Sequence, residues 1–192
     1  MGTVVGGILA AFGLSASAGL NAYIPLLIVS LVAKFTPLIK LADIWEPLTS
    51  WWIIGLLIVL SLVEFFADKV PAVNHINDII QSFIRPTAGA ILFAASAQAV
   101  TEIHPVLSIA SGLLMAGGVH AVKSLVVRPI VTATTAGAAN APVSMLEDVA
   151  STAVSALSIL LPILGIIVLV IMAVIIIWWV VARSKKRKAA AG

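Results

Sequence analysis

Twenty consecutive residues near the C-terminus, Ile163–Ala182, read ILGIIVLVIMAVIIIWWVVA and carry no charge. A helix needs about 20 mostly apolar residues to cross a hydrocarbon core roughly 30 Å thick. In lipid, backbone N–H and C=O groups must be satisfied within the protein, so a continuous apolar run of this length is a transmembrane helix. It ends in Trp178–Trp179 and then RSKKRK; indoles at headgroup level followed by a basic cluster mark a membrane exit into the cytoplasm. The rest of the chain is of the same kind, with 61% hydrophobic residues over 192 positions. The tail holds five of the eleven basic residues and leaves a body with six basic and eight acidic side chains, so the excess of positive charge belongs to the tail. KKRK therefore reads as a topology signal with the lipid bilayer as partner, not as a nucleic-acid site. Zero cysteines exclude disulfides, thiolate metal sites and cysteine nucleophiles. With no basic n-region or cleavage site, Thr3 onward is expected to be mature protein. The expectation is an all-α, multi-pass protein of the inner (plasma) membrane. One membrane domain covers residues 1–182, and a basic cytoplasmic tail covers 183–192.

Thr3–Lys34 is apolar for longer than one straight crossing at about 1.5 Å per residue. Its middle, SASAGLNAYIP, is small, polar and ends in Pro25, which predicts two helical pieces joined at Gly19–Asn21 or one strongly kinked helix. Phe35–Ser50 reads as an interfacial loop, and Trp51–Ala67 as a span entered through two tryptophans. Residues 72–86 form an amphipathic piece. Thr87–Val100 is too short to cross alone and is either a re-entrant half-helix or a crossing completed by that piece. His104–Val127 is a span, and Arg128–Pro142 is expected to be non-helical in part. Ser144–Met145–Leu146–Glu147 matches a capping box at the start of a helix from Met145. Beyond it, Asp148, Ser151, Ser155 and Ser158 make a small polar stripe suited to packing on protein. Five to six membrane segments follow, broken or re-entrant ones included. If six cross, both termini are cytoplasmic and the positive-inside bias is met; a continuous helix through Pro162 would move the N-terminus to the other side. A weak internal repeat would pair AGLNA (Ala18–Ala22) with GGVHA (Gly117–Ala121), and RPTAGAIL with LPILGIIV, as in inverted-repeat transporters.

Ionisable groups at membrane depth cost about 2.5–3.5 kcal/mol each on insertion scales, so they face a cavity or pair within the protein. Glu64 and Asp68 share a helical face at the end of the second span, with Lys69 beside them. His75, Asp78, Ser82 and Arg85 fall on one face of the amphipathic piece, opposite Ile76, Ile79, Ile80 and Phe83. That piece is either an interfacial helix with a solvated polar side or a stripe folded inward towards Glu64. His120 and Lys123 lie one turn apart in a second apolar span, while Asn21 and Asn140 sit beside segments broken by glycine or proline. Broken helices leave backbone groups free, which is tolerated only where they line protein or water. Asn21, Glu64, Asp68, Lys69, His75, Asp78, Arg85, His120, Lys123, Arg128, Asn140 and Asp148 are thus the candidate lining of a polar site. A metal site from Glu64, Asp68, His75 and His120 is chemically possible, but its spacing is not diagnostic. No HExxH, GxSxG, Walker or dinucleotide pattern is present, so no catalytic residue, metal or cofactor is expected.

AGLNAYIPLL, ADKVPAVNHINDIIQSFIRPTAGA and GGVHAVKSLVVRP…NAPVSMLED, in that order, resemble the motifs of a bacterial family of multi-span membrane proteins, domain of unknown function 4126. The resemblance runs from about Gly13 to Leu161 and implies a polytopic helical membrane protein, with no substrate attached. Asn21 stands where the resemblance leads one to expect an arginine, so anion binding by that arginine would not carry over. The function expected is a small secondary transporter or permease, proton-coupled, for a small polar or anionic solute. In it Glu64 and Asp68 are proton-linked, His120 and Lys123 contact substrate, and Arg85 is a charge partner. The alternatives are a non-transporting accessory subunit of a larger membrane complex and a protein that handles a lipid headgroup; the partners expected are the bilayer, a small solute or ion, and either further copies of the chain or a larger membrane complex.

Overall fold

The computed structural model describes residues 4–67, 71–97 and 103–162, with side chains from Asn77 onward in the second stretch, and individual positions between Leu164 and Ala182. Among these residues the protein is all-helical, with seven α-helices: α1 (Val4–Leu20), α2 (Tyr23–Phe35), α3 (Trp51–Ala67), α4 (Pro71–Ala97), α5 (Pro105–Val122), α6 (Arg128–Thr135) and α7 (Asn140–Leu160). A 3₁₀ turn, Asp43–Thr49, precedes α3, and a π turn, Lys123–Val127, joins α5 to α6.

The first apolar stretch breaks where the sequence predicts. Pro25 has no N–H to donate to the carbonyl of Asn21, four residues earlier, so the helical ladder cannot continue through that point. Asn21 then takes over the new helix end: its Oδ1 accepts the backbone N–H groups of Tyr23 and Ile24, each at 3.0 Å. Such a side-chain cap satisfies donors that have no intrahelical partner. α3 has the bounds expected and meets the 3₁₀ turn at a 62° bend.

Elsewhere the helices run further than the sequence predicts. The amphipathic piece and the alanine-rich segment are one helix, α4, 27 residues long and continuous through Pro86. Likewise, helix persists from Pro105 to Thr135 and stops only at Ala136 and Gly137, whose φ values of 49° and 86° are left-handed. The capping box is overturned. α7 begins at Asn140, Ser144 is buried four residues inside it, and Glu147 turns to basic side chains instead of the helix end. Pro142, in the first turn, lacks an N–H that would have no intrahelical acceptor anyway, so the helix starts ahead of it. AGLNA ends a helix, whereas GGVHA lies inside one, so the two phrases of the suspected repeat take different local structures.

Among the described residues, three helices are long and apolar enough to cross a membrane: Asn77–Ala97, Pro105–Thr135 and Asn140–Leu160. The bent pair of the 3₁₀ turn and α3 makes a fourth, and α1 and α2 are shorter apolar helices. The last apolar run of the sequence lies largely outside the described residues, though its described positions are helical.

α1 is the axis of the bundle and packs against α4, α5 and α7. From Gly7 to Gly19 its buried face is built of Gly, Ala and Ser apart from Leu14, which lets backbones approach closely. A Cβ on Gly19 would stand 2.6 Å from the carbonyl oxygen of Ala116, and one on Gly89 would run into Ala116 and the Gly112 backbone. Hydroxyls stitch the same surfaces. Ser15 donates to Gly89 O, Ser151 donates to Ser17 O, and the Ser17 and Ser155 hydroxyls share a 2.9 Å bond. The polar stripe of α7 thus packs on protein, as its spacing predicts.

The outer surface is apolar. α3 buries only Ile54, Leu57 and Glu64 and exposes Leu56, Val59, Leu62, Val63 and Phe66. On α4, Ile79, Ile80 and Phe83 point outward while Gln81 and Arg85 are buried. Of the two alternatives for this amphipathic piece, the structure takes the inward-folded one. That inversion of the soluble-protein pattern is the arrangement lipid favours, since charged groups are stable there only on the inside.

Candidate functional site

The helix break at Asn21 leaves the last carbonyls of α1 without intrahelical donors and gives that end a partial negative charge. Two cations from other helices meet it. Arg85 Nη1 of α4 donates to Gly19 O at 3.3 Å, and Lys123 Nζ from the end of α5 donates to Leu20 O at 3.0 Å. Each cation is held by a carboxylate as well. Arg85 Nη2 bonds Glu64 Oε1 of α3 at 2.7 Å, with side-chain exposures of 0% and 1%, and Lys123 Nζ bonds Glu147 Oε2 of α7 at 2.7 Å. One helix end therefore gathers α3, α4, α5 and α7 around four charged side chains.

The network extends in two directions. His120, 4% exposed, places Nδ1 3.4 Å from Arg85 Nη1 and Nε2 3.2 Å from the Ser82 hydroxyl, and Ser82 is exposed. A chain of polar atoms thus runs from the surface at Ser82 through His120 and Arg85 to Glu64. In the other direction Arg128 pairs with Asp78 at 3.1 Å and approaches Glu147 at 3.6 Å.

The π turn explains how Lys123 and Arg128 reach one carboxylate. Five residues apart, they would point about 140° from each other on an α-helix turning roughly 100° per residue. The Arg128 N–H bonds Lys123 O instead, a five-residue step that widens the turn and brings both side chains inward. Pro129 lies just beyond and has no N–H for the carbonyl four residues back, which favours such a shift.

Asn21 joins the break to α7: Nδ2 donates to Asp148 Oδ1 at 2.9 Å, and Asn21 is 1% exposed. Of the residues expected from sequence, Glu64, Arg85, His120, Lys123, Arg128 and Asp78 form one connected set, and Asn21 with Asp148 attaches to the same helix end. Asn140 does not join them. It exchanges hydrogen bonds with Thr132 near the α6–α7 turn because α7 begins at Asn140 itself. Asp68 and Lys69 lie outside the described residues, and of His75 only the backbone is described. Among the described residues no group of three or more His, Asp or Glu side chains could hold a metal ion.

Three members were not singled out as site residues. Glu147 is hidden by its resemblance to a cap. Gln81, 2% exposed, lies on the inward face of α4 three residues after Asp78 and four before Arg85, and that helical spacing is the signal that finds it. Tyr23 opens α2, and its hydroxyl reaches the Gln81 side chain. Gln81 Oε1 and Arg85 Nε are buried atoms with no hydrogen-bond partner among the described residues, an arrangement that native interiors rarely keep without a use.

The family model described as domain of unknown function (DUF4126) matches residues 8–182. No curated protein and no solved structure matches the chain.

Proposed function

This chain belongs to the DUF4126 family, and we propose that it is a small secondary transporter of the plasma membrane that exchanges protons for a small polar solute. One observation carries the reading: a buried carboxylate–guanidinium–imidazole chain, Glu64–Arg85–His120, meets a broken helix and is continued to the surface by Ser82. Imidazole is the side chain whose unperturbed proton exchange falls near neutral pH, and carboxylates paired with a cation give up or accept a proton when that pair opens. Broken helices bring backbone carbonyls to membrane depth where they coordinate cations, as Gly19 O and Leu20 O do with Arg85 and Lys123 here. Gln81 Oε1 and Arg85 Nε add one acceptor and one donor that a polar solute would satisfy. The described basic side chains of the network all face carboxylates already, so an anion would have to displace an acid, and a proton or neutral solute is the easier cargo. The basic tail lies on the cytoplasmic side.

The test is proton flux in proteoliposomes loaded with a pH-sensitive dye and challenged with a panel of small polar solutes. Solute-dependent collapse of an imposed pH gradient by the wild type, and its loss in both Glu64→Gln and His120→Ala, is the expected result. Flux unchanged in those variants refutes the assigned roles.

The closure of the same network favours a second reading, that of a non-transporting component of a membrane complex, because ion pairs this fully matched also serve as internal ties. Co-purification with a larger assembly in mild detergent, together with no solute-driven flux, would select it.

A further inference from the structure

The inward face of α4 carries two buried polar atoms that the ion-pair network leaves open. Gln81 Oε1 and Arg85 Nε have no hydrogen-bond partner among the described residues, although Gln81 is 2% exposed and Arg85 0%. The rest of each side chain is committed. Arg85 spends Nη2 on Glu64 and Nη1 on Gly19 O, beside His120. A side-chain N–H of Gln81 serves the Tyr23 oxygen. That contact turns the NH2 end of the Gln81 amide towards α2, so its carbonyl oxygen is the group left over.

We propose that these two atoms recognise an uncharged primary amide, as the solute of the transport reading above, on which this inference rests. Residues four apart on a helix lie one above the other. Gln81 and Arg85 therefore offer one acceptor and one donor to the same side from successive turns. A primary amide carries the complementary pair on adjacent atoms. Its carbonyl accepts from Arg85 Nε, and its N–H donates to Gln81 Oε1. Charge points the same way, because the Arg85 guanidinium is already balanced by Glu64. A carboxylate would match Arg85 Nε but set its second oxygen against Gln81 Oε1. An ammonium would match Gln81 Oε1 but stand beside the guanidinium. A ketone leaves the Gln81 oxygen unmet, and a site built to hydrogen-bond an N–H discriminates strongly against the analogue that lacks it. An alcohol has to serve both atoms through a single oxygen.

Saturation-transfer NMR of the full chain in nanodiscs tests this through the methyl signals of acetamide, acetone and 2-propanol, which share one shape. The wild type binds acetamide about tenfold or more tighter than either of the others. Gln81→Met, close to glutamine in length but without the carbonyl, abolishes that preference. If Gln81→Met does not fold, Tyr23→Phe serves, since it frees the Gln81 amide to turn over and lowers the preference several-fold. Equal binding of the three probes, binding of none, or a preference unchanged in the folded variants overturns the proposal. Entry of radiolabelled acetamide into proteoliposomes separates this result from the transport reading. Selective acetamide binding without entry refutes transport and keeps the recognition; solute-driven proton flux without acetamide binding refutes the recognition and keeps transport.

Discussion

Replacing Glu64 with alanine removes the anion that faces a guanidinium with no access to solvent. Arg85 would keep only the longer contacts to Gly19 O at 3.3 Å and His120 Nδ1 at 3.4 Å, in place of the 2.7 Å bond to Glu64. Removing one partner of a buried ion pair costs about 3–5 kcal/mol because the other charge stays buried. Glu64→Gln also leaves the guanidinium charge buried without its counter-ion, but it keeps an acceptor oxygen and so recovers about 1 kcal/mol of the alanine cost. Glu64→Leu combined with Arg85→Leu removes both charges together, and such double replacements are often neutral or stabilising. The predicted order of destabilisation is therefore Glu64→Ala first, Glu64→Gln second and the double leucine variant last, well below the sum of the two single leucine variants. Reversible unfolding by sodium dodecyl sulfate in mixed micelles, followed by circular dichroism, measures all of these as one cycle. A cost below about 1 kcal/mol for Glu64→Ala, or additive costs for the leucine pair, would refute the claim that these groups are buried and paired.

Two further substitutions probe the scaffold that holds them. Gly19→Ala places a methyl group 2.6 Å from Ala116 O and Val119 Cβ, so it forces α1 from α5 and costs about 1–3 kcal/mol in the same unfolding assay. Asn21→Ala removes the cap on α2 and the tie to Asp148; the cap alone contributes about 1 kcal/mol, and Asn21→Asp, which retains the capping oxygen but faces Asp148, separates the two terms by its sign.

Much of this architecture is legible in particular residues. The break at Asn21 follows from Pro25 and the small residues before it, and the bounds of α3 follow from Trp51–Trp52 at one end. The inward turn of Asp78, Gln81 and Arg85 is present as a helical stripe, but periodicity alone does not tell a lipid-facing apolar side from a core-facing one. That difference depends on the solvent and on which helices are near. The continuity of α4 through Pro86 escaped because proline's local penalty is offset by packing against neighbours, which no single segment reveals. The π turn is a shift of one residue in hydrogen bonding, invisible in composition, yet it decides where Lys123 and Arg128 point. The role of Glu147 is masked in the sequence because Ser144 three residues earlier imitates a helix start, and only the position of α7 shows which role applies.

The proposed function requires that the polar face of α4 open to water at Ser82 while its apolar face meets lipid. Because the natural chain has no cysteine, single substitutions report accessibility without background. Ser82→Cys, beside His120, should react in intact vesicles with a charged, water-soluble thiol reagent, whereas Phe83→Cys, on the next residue and 75% exposed, should react only with a lipophilic maleimide. Equal labelling of both by the charged reagent, or labelling of Phe83→Cys alone, would contradict the account.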